Sequence, residues 1–435
     1  MPLPTRRPAG AGGGPPAAAA VAVMETNDEA AACRMAAMKK WVRPSRALAG
    51  LSARTGGYFQ DPFLAPFVDP VVPSPLVLAA PGPPQRAVDV NRGTAIRVAG
   101  VDAAVAAFRR AAAALPESAS RPPQILALGA GFDTRPAAVR GVRYVEVDYP
   151  AVAAAKWRRV VGDRGTAARA ALPSTMRRVA AAAGGDDFHV AGVWGAPTPA
   201  AATAVDGDAA GGRRGTGYAL LGGDLRDVPR LLAVLLAGAG VGWDWASPTL
   251  LLCEVALVYM DAGDSGRLLA AIAAAARGCL AVVNFEQIRP DDPFGARMVA
   301  QMAAHGCPLR GLAAYPELVD QVRRFRTAGW GAVEAVDALT YFYRYMPPDR
   351  RRHIISRERL DDADEWHGLL RHYALVWGAT DRRHEGAGPP QSGGGGGGAP
   401  NGGAPDLAVA DADPRQLASP FVATFLPRPA GRETG

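Results

Sequence analysis

Residues 125–135 read Ile125-Leu-Ala-Leu-Gly-Ala-Gly-Phe-Asp-Thr-Arg135, a short apolar run that ends in a glycine-rich turn. The run is too short for a typical helix and suits a buried parallel strand. Gly129 and Gly131 allow a sharp turn and the close approach of a ligand to the main chain. In open α/β sheets, ligands bind at the carboxyl ends of such strands. A plain tight turn has the same pattern, so both interpretations stay open here.

A second apolar run ends in an acid. Residues Arg143-Tyr-Val-Glu-Val-Asp148 predict a strand. Asp148 follows Gly129 by 19 residues, close to the ~20-residue spacing at which a carboxylate meets a ribose hydroxyl in nucleotide-binding βαβ units. The pair favours a nucleoside cofactor. A cap on the helix that follows is the alternative role for Asp148.

Strand and helix patterns alternate along the chain. They predict an α/β fold with a mostly parallel central sheet, helices on both faces and added N-terminal helices at 28–38 and 91–115. Further predicted strands lie at 218–227, 249–259, 280–286, 329–336 and 372–377.

Shifts in composition divide the 435 residues into three parts. Residues 1–27 are a low-complexity tail that we expect to be disordered, and residues 28–379 are one catalytic domain. Within that domain, residues 163–216 are a low-complexity insertion rich in alanine, glycine and arginine. Residues 380–435 are rich in glycine and proline and predict a flexible C-terminal tail.

Charge and cysteine usage narrow the possible partners and the compartment. The formal net charge is +7, yet the cluster Arg323, Arg324 and Arg326 fits a solvated helix surface better than a nucleic-acid-binding face. The four cysteines show no paired spacing, so a reducing compartment fits. No apolar run reaches the ~18 residues of a membrane span. The acid-free first 23 residues admit a transit peptide, but a disordered tail is favoured and the cytoplasm is expected.

Two further acids end or interrupt predicted strands. Asp224 ends one strand just before Leu225, and Glu254 interrupts the most apolar strand. Because the carboxyl ends of parallel strands share an edge, we expect Gly129 and these acids to surround one crevice. Asp224 and Leu225 would meet a base, and Glu254 a cationic ligand group, since an unpaired buried carboxylate costs several kcal/mol. The alternatives are a helix cap for Asp224 and a structural arginine partner for Glu254.

Metal chemistry is not predicted. His367 and His372 are five residues apart, which is off the same-face spacing of a helix. The sequence has no Cys/His cluster and no Ser/His/Asp constellation.

Eight short motifs follow one another along the chain. They are Asn91-Arg-Gly-x-x-x-Arg97, Leu128-Gly-Ala-Gly-Phe-Asp-Thr134, Tyr144-x-Glu-Val-Asp148-Tyr-Pro, Gly223-Asp-Leu-Arg-Asp227, Glu254-Val-Ala-Leu-Val-Tyr-Met260, Asn284-x-Glu-Gln287, Asp292-Pro-Phe-Gly295 and Arg371-His-Tyr373. With these motifs in this order, the sequence resembles the leucine carboxyl methyltransferase family from about residue 28 to residue 379.

The resemblance implies a Rossmann-like class I methyltransferase fold with S-adenosyl-L-methionine as the cofactor. Members of that family methylate the C-terminal leucine carboxylate of the protein phosphatase 2A catalytic subunit. The implied partner is therefore the C-terminal tail of that subunit. We expect a monomer, with no nucleic-acid and no membrane partner.

The resemblance also implies roles for single residues. Gly129 would lie at the methionine moiety, Asp148 on the ribose, Asp224 at the adenine and Glu254 at the amino-acid end, while Arg97 would pair with the cofactor carboxylate. The complete implied set of cofactor-binding residues is Arg34, Arg97, Gly129, Asp148, Asp224, Leu225 and Glu254.

The sequence around Arg34 departs from the family pattern. A basic insertion, residues 39–53, separates Arg34 from the aromatic segment at 58–62. Arg34 is therefore only an assisting candidate.

Elementary chemistry agrees with the implied reaction. An α-carboxylate of pKa ~3.5 is ionised at neutral pH, so methyl transfer to it needs no general base. The protein must align donor and acceptor, and such orientation can supply ~7–11 kcal/mol. Arg92 and Tyr259 are the candidate catalytic residues that hold the acceptor carboxylate. The alternatives are a surface salt bridge for Arg92 and core packing for Tyr259.

Two competing functions remain. A related methyltransferase branch modifies a hypermodified tRNA guanosine (the wybutosine pathway) and carries an additional β-propeller, for which the residues after 380 are too few and too rich in glycine. A non-catalytic module that binds the phosphatase tail is the second alternative, and it predicts a lost cofactor site. All the acids named above are present, which disfavours it.

Overall fold

The computed structural model describes residues 58–59, 61, 88–161, 176–177, 189–195, 217–237, 242–382 and 419–430. Nine strands form one sheet in the order β3-β4-β5-β2-β1-β6-β7-β9-β8. The strands are β1 (Gln124–Leu128), β2 (Arg143–Asp148), β3 (Met176–Arg177), β4 (His189–Gly195), β5 (Gly217–Gly222), β6 (Thr249–Glu254), β7 (Cys279–Gln287), β8 (Ala332–Asp337) and β9 (Tyr373–Asp381).

Helices connect these strands and flank the sheet. They are α1 (Val88–Ala113), α2 (Pro150–Val161), α3 (Val228–Leu236), α4 (Ala262–Ala275), α5 (Pro293–Ala304), α6 (Leu318–Thr327), α7 (Pro348–Arg357), α8 (Ala363–Arg371) and α9 (Pro420–Phe425). A one-turn helix, Arg135–Ala138, follows the glycine turn after β1.

The centre of the sheet is parallel. Strands β5, β2, β1, β6 and β7 pair in parallel, whereas β9 pairs antiparallel with both β7 and β8. From β1 the chain first builds outward through β2 and β5, and then returns to place β6 on the other side of β1. The strand order therefore reverses between β1 and β6, the position at which ligands bind in doubly wound sheets.

Helices cover both faces of the sheet. Along β1, Leu126 and Leu128 belong to one apolar core, and Ile125 and Ala127 to the other. Helices α1, α2, α8 and α9 contribute to the core that contains Ile125, and α3, α4 and α6 to the core that contains Leu126. The predicted Rossmann-like α/β fold is confirmed, with α1 added before β1.

Two predicted strands end earlier than the apolar pattern indicated, and the first of them, β5, stops at Gly222 instead of continuing to residue 227. β6 stops at Glu254 instead of continuing to residue 259, because Val255 has a φ of 55° and a 3₁₀ turn follows at Leu257–Tyr259. The Val255 N–H still donates to the carbonyl of Phe285 at 2.7 Å. A β-branched residue rarely adopts this conformation, so the turn after Glu254 is strained.

Two segments of low complexity contain more order than the composition indicated. β4 lies inside the predicted insertion 163–216 and pairs antiparallel with β5. α9 lies inside the predicted flexible tail 380–435 and packs against the core. The predicted tail 1–27 and the predicted helix 28–38 lie outside the described residues.

The basic cluster on α6 also differs from the prediction. Arg324 is 4% exposed, and its Nη1 donates to Glu286 Oε2 at 2.7 Å. The prediction of a solvated helix surface therefore holds for the exposed Arg323 and Arg326 and is wrong for the buried Arg324. Within the described ranges, no helix has the length and apolar character needed to cross a membrane.

Candidate functional site

The turn after β1 lies at the centre of the carboxyl-terminal edge of the sheet. Gly129 and Gly131 have φ angles of +62° and +49°, a region that favours glycine. The Gly129 N–H donates to the Val147 carbonyl at 2.8 Å. A Cβ added to Gly129 would lie 2.6 Å from the Cβ of Ala256. The turn after β1 and the strained turn after β6 therefore pack directly on each other.

Asp148 holds this glycine turn from the neighbouring strand. Its Oδ2 accepts from the Gly131 N–H at 2.6 Å, and its Oδ1 accepts from the Tyr149 N–H at 2.7 Å. Burial raises the pKa of Asp148, while these two hydrogen bonds and Lys156 act against that rise. Tyr149 precedes α2, so neither bond is the usual cap of the first helical turn. Each carboxylate oxygen keeps a lone pair that can accept from a hydroxyl.

Asp224 lies one strand further out, in the loop after β5. Its carboxylate accepts from the side chain of Arg226, with Nη2 and Oδ2 at 2.5 Å, and from the Arg226 N–H at 2.9 Å. Helix α3 is capped by Asp227, which accepts from Arg230 N, so the capping alternative for Asp224 is wrong. Leu225 is half-buried against the apolar core.

Glu254 ends β6 on the other side of the glycine turn. Its Oε1 accepts from Arg97 Nε at 2.5 Å, and its Oε2 accepts from Arg135 Nη1 at 2.6 Å. The alternative of a structural arginine partner therefore describes Glu254, which has two such partners. Burial lowers the pKa of Arg135, but Asp133, Glu254 and Asp102 raise it by more, so the guanidinium stays charged.

The four predicted residues lie in one row along the sheet edge. Asp148 is in register with Gly222, two residues before Asp224, and Leu128, directly before Gly129, is in register with both Val147 and Cys253. The row therefore runs Asp224, Asp148, Gly129, Glu254. At ~4.8 Å between neighbouring strands it is about 14 Å long. An elongated ligand with a different polar group at each end matches this arrangement.

Aromatic rings surround Arg97 next to Glu254. The Arg97 guanidinium lies 5.7 Å from the Phe285 ring centroid, and Phe285 stacks on Tyr373 at 5.3 Å. Burial raises the pKa of Tyr259, Cys307 and Tyr373 add to the rise, and Arg97 lowers it. Tyr259 therefore keeps its O–H proton and can donate a hydrogen bond, and the positive charge of Arg97 acts on this hydroxyl. The side chain is half-buried against a small apolar cluster, so core packing and acceptor binding both fit it.

The structure places Arg92 in a different environment. Arg92 is 4% exposed, and its Nη2 donates to the carbonyls of Ile355 at 3.1 Å and Glu358 at 2.5 Å. Its guanidinium lies 5.2 Å from the Trp366 ring centroid. A surface salt bridge therefore does not describe Arg92, and its role at an acceptor carboxylate stays a prediction. Arg34 lies outside the described residues.

Sequence reasoning missed two charged groups next to the row. Arg135 closes the glycine-rich stretch, and Glu146 interrupts the apolar pattern of β2. Glu146 accepts from Lys156 Nζ at 2.8 Å and from the Tyr218 O–H at 2.6 Å. Burial raises the pKa of Glu146 to about 7, with Lys156 opposing. Glu146 carried the signal that pointed to Glu254, a charge inside an apolar run, whereas no local signal marked Arg135. In the part of the chain that the structure describes, no group of His, Cys, Asp and Glu is arranged to hold a metal ion.

A family model described as leucine carboxyl methyltransferase matches residues 41–273, more than half of the chain. Human tRNA wybutosine-synthesizing protein 4 is 34% identical over 338 residues, which cover 76% of this chain and 42% of that protein. The chain thus spans less than half the length of this relative. Leucine carboxyl methyltransferase 1 from Aspergillus fumigatus is 30% identical over 353 residues, covering 76% of this chain and 79% of that protein.

Among solved structures, a putative methyltransferase from Thermobifida fusca matches with a TM-score of 0.38 and 13% identity. The match covers 67% of this chain and 82% of the other.

Proposed function

The chain belongs to the leucine carboxyl methyltransferase family, and from this premise we propose that it methylates the C-terminal leucine α-carboxylate of the protein phosphatase 2A catalytic subunit. The methyl donor is S-adenosyl-L-methionine, and the product is a methyl ester. The observation that carries the proposal is the row Asp224, Asp148, Gly129, Glu254 along one sheet edge, at the point where the strand order reverses.

The residues of this row fit such a cofactor. Asp148 offers two buried carboxylate oxygens to the ribose hydroxyls, held in place by the Gly131 and Tyr149 amides. Half-buried Leu225 offers an apolar contact to the base, beside the carboxylate of Asp224. Glu254 offers its carboxylate to the ammonium of the amino-acid end. When bound, S-adenosylmethionine supplies an electrophilic methyl group on a sulfonium.

The protein must then align the methyl donor with the acceptor carboxylate and exclude water from the site. The acceptor carboxylate is ionised at neutral pH, so no residue has to remove a proton from it. Tyr259 keeps its O–H proton and can donate to that carboxylate, and Arg97 lies close enough to supply a positive field. The ring of Phe285, which stacks on Tyr373, gives the Arg97 guanidinium an apolar neighbour. Arg92 remains the second candidate for binding the acceptor carboxylate.

A second candidate function is carboxyl methylation of a modified tRNA nucleoside. The observation that favours it is the 34% identity to human tRNA wybutosine-synthesizing protein 4. The same cofactor row would serve this reaction, because only the acceptor differs. The two functions therefore differ in what the surface around the acceptor slot must accommodate.

We place the activity in the cytoplasm. The support is the spacing of the four cysteines in the sequence, which shows no paired pattern and fits a reducing compartment.

A labelled-methyl transfer assay tests the proposal. The full chain is incubated with S-adenosylmethionine carrying a labelled methyl group and with one of three acceptors. These are intact phosphatase catalytic subunit, the same subunit without its terminal leucine, and wybutosine-containing tRNA precursor. We expect base-labile label on the intact subunit only. Label on the tRNA would establish the second candidate instead, and cofactor binding without transfer to any acceptor would overturn both.

A further inference from the structure

Arg135 is held by three carboxylates beside the cofactor row. Its Nη1 contacts Glu254 Oε2 at 2.6 Å and Asp133 Oδ2 at 3.1 Å, and its Nε contacts Asp102 Oδ1 at 2.7 Å. The side chain is 5% exposed. Arg97, the other partner of Glu254, is 29% exposed. Of the two arginines, Arg135 is the fixed one and Arg97 the one that can move.

Carboxylates are concentrated around this arginine. Glu254, Asp102 and Asp133 all contact Arg135. A ligand cation placed against Glu254 would meet a favourable negative field. The ammonium of an amino-acid group is such a cation.

Stability alone does not account for a buried arginine in this position. The Nη2 of Arg135 is buried and has no hydrogen-bond partner among the described residues. A buried donor without a partner destabilises the fold, and well-packed apolar side chains often replace buried ion pairs without loss of stability. The arrangement instead fixes one oxygen of Glu254 very firmly.

We propose that Arg135 is a positioning residue that locks Glu254 in the orientation that binds the ammonium of the cofactor, an inference that rests on the proposed function. Arg135 would keep its bond to Oε2 with the cofactor bound. Arg97, the more exposed partner of Glu254, would be the arginine available to the carboxylate of the same amino-acid group. Arg97 could then pair with Glu254 as observed and still serve the cofactor.

Binding of two ligands by calorimetry tests this role. S-adenosylhomocysteine carries the amino-acid end, whereas 5′-methylthioadenosine carries the same nucleoside and sulfur without it. In Arg135→Met we expect the affinity for S-adenosylhomocysteine to fall about 10-fold or more. The affinity for 5′-methylthioadenosine should stay within about twofold. Arg135→Lys keeps the charge and should recover part of the loss.

Arg267→Met is the matched control, because Arg267 pairs with Asp264 but is 70% exposed. It should leave both affinities unchanged. Equal losses for the two ligands in Arg135→Met would assign a merely structural role and overturn the proposal, as would no loss for either. If Arg135→Met does not fold, Arg135→Lys gives the same selective loss for S-adenosylhomocysteine on a smaller scale, and its absence overturns the proposal. Failure of the phosphatase assay with selective binding intact would reject the acceptor and leave the role of Arg135 standing.

Discussion

Gly129 and Gly141 both have left-handed backbone conformations, but their surroundings differ. Gly129 has a φ of +62° and packs against Ala256, whereas Gly141 has a φ of +77° and an added Cβ there would meet no atom within 4 Å. Both positions impose the same conformational restriction on a side chain. Only Gly129 adds a steric restriction and lies in the row of candidate cofactor residues. Substitutions at these two positions therefore separate the effect of backbone strain from an effect on ligand binding.

We expect Gly129→Ala to weaken cofactor binding and Gly141→Ala to leave it unchanged. Left-handed strain should cost each variant about 1–2 kcal/mol of unfolding free energy. In Gly129→Ala the new methyl also forces the turns after β1 and β6 apart, which adds about 1–3 kcal/mol. Denaturant unfolding measures the stability, and calorimetry with S-adenosylhomocysteine measures the binding. Equal binding by both variants would show that the turn after β1 does not contact the ligand.

At the scale of elements, helix α9 packs into the core although the composition around it predicted a flexible tail. Ser419 caps the helix and Pro420 occupies its first turn, both common at a helix start. Phe421 then packs edge-on against Phe108 of α1 with ring centroids 6.3 Å apart, and Phe425 is 1% exposed. The helix is therefore held by its apolar face and not by its own six residues.

We expect Phe425→Ala to destabilise the protein by about 3 kcal/mol, because it leaves a cavity between α9 and the core. Thr424→Ala is the control, since Thr424 is exposed on the same helix and should change stability by less than about 0.5 kcal/mol. Thermal and denaturant unfolding of the full chain measure both. A Phe425→Ala variant as stable as Thr424→Ala would show that α9 is not docked in solution.

The sequence predicted the features that depend on neighbouring residues. Stretches of about ten residues encode the glycine turn, the acid at the end of β2 and each apolar strand. The alternation of such stretches predicted the fold. Contacts between distant residues could not be predicted in this way. Nothing local to Arg135 shows that it meets Glu254, 119 residues later. The early end of β6 at Val255 depends likewise on the Phe285 carbonyl, and the order of α9 depends on Phe108.

At the scale of the whole molecule, the sheet joins residues from opposite ends of the described chain at one edge. Arg97 comes from α1 and Tyr373 from the start of β9, yet both contact Phe285. Helix α1 brings its charges to the carboxyl ends of the strands, where Glu254 accepts from Arg97. The end of the row at Glu254 is therefore built from elements that only the complete fold brings together, and the approach of an acceptor to it also depends on the charge of the whole surface.

That charge distinguishes the two candidate acceptors. The chain has a formal net charge of +7, a sum that already counts the acids, and several described arginines lie next to an acid, so that their positive charge is opposed locally. The paired arginines include Arg226 with Asp224, Arg267 with Asp264, Arg289 with Glu317, Arg323 with Asp320 and Arg324 with Glu286. The acceptor under the proposed function is a peptide tail with one terminal carboxylate, and salt would screen little a contact between that carboxylate and a partly buried side chain such as Tyr259.

We therefore expect the kcat/KM for methylation of the phosphatase to change by less than about threefold between 50 and 200 mM salt. An RNA acceptor bound through 6–10 phosphate contacts would lose about 10³–10⁵ in affinity over the same range. Steady-state methyl transfer at a series of salt concentrations measures this, and the affinity for S-adenosylhomocysteine at each concentration corrects for the cofactor. A fall of tenfold or more that is not shared by cofactor binding would mean that long-range charge dominates recognition of the acceptor, and would contradict binding through a single partly buried carboxylate.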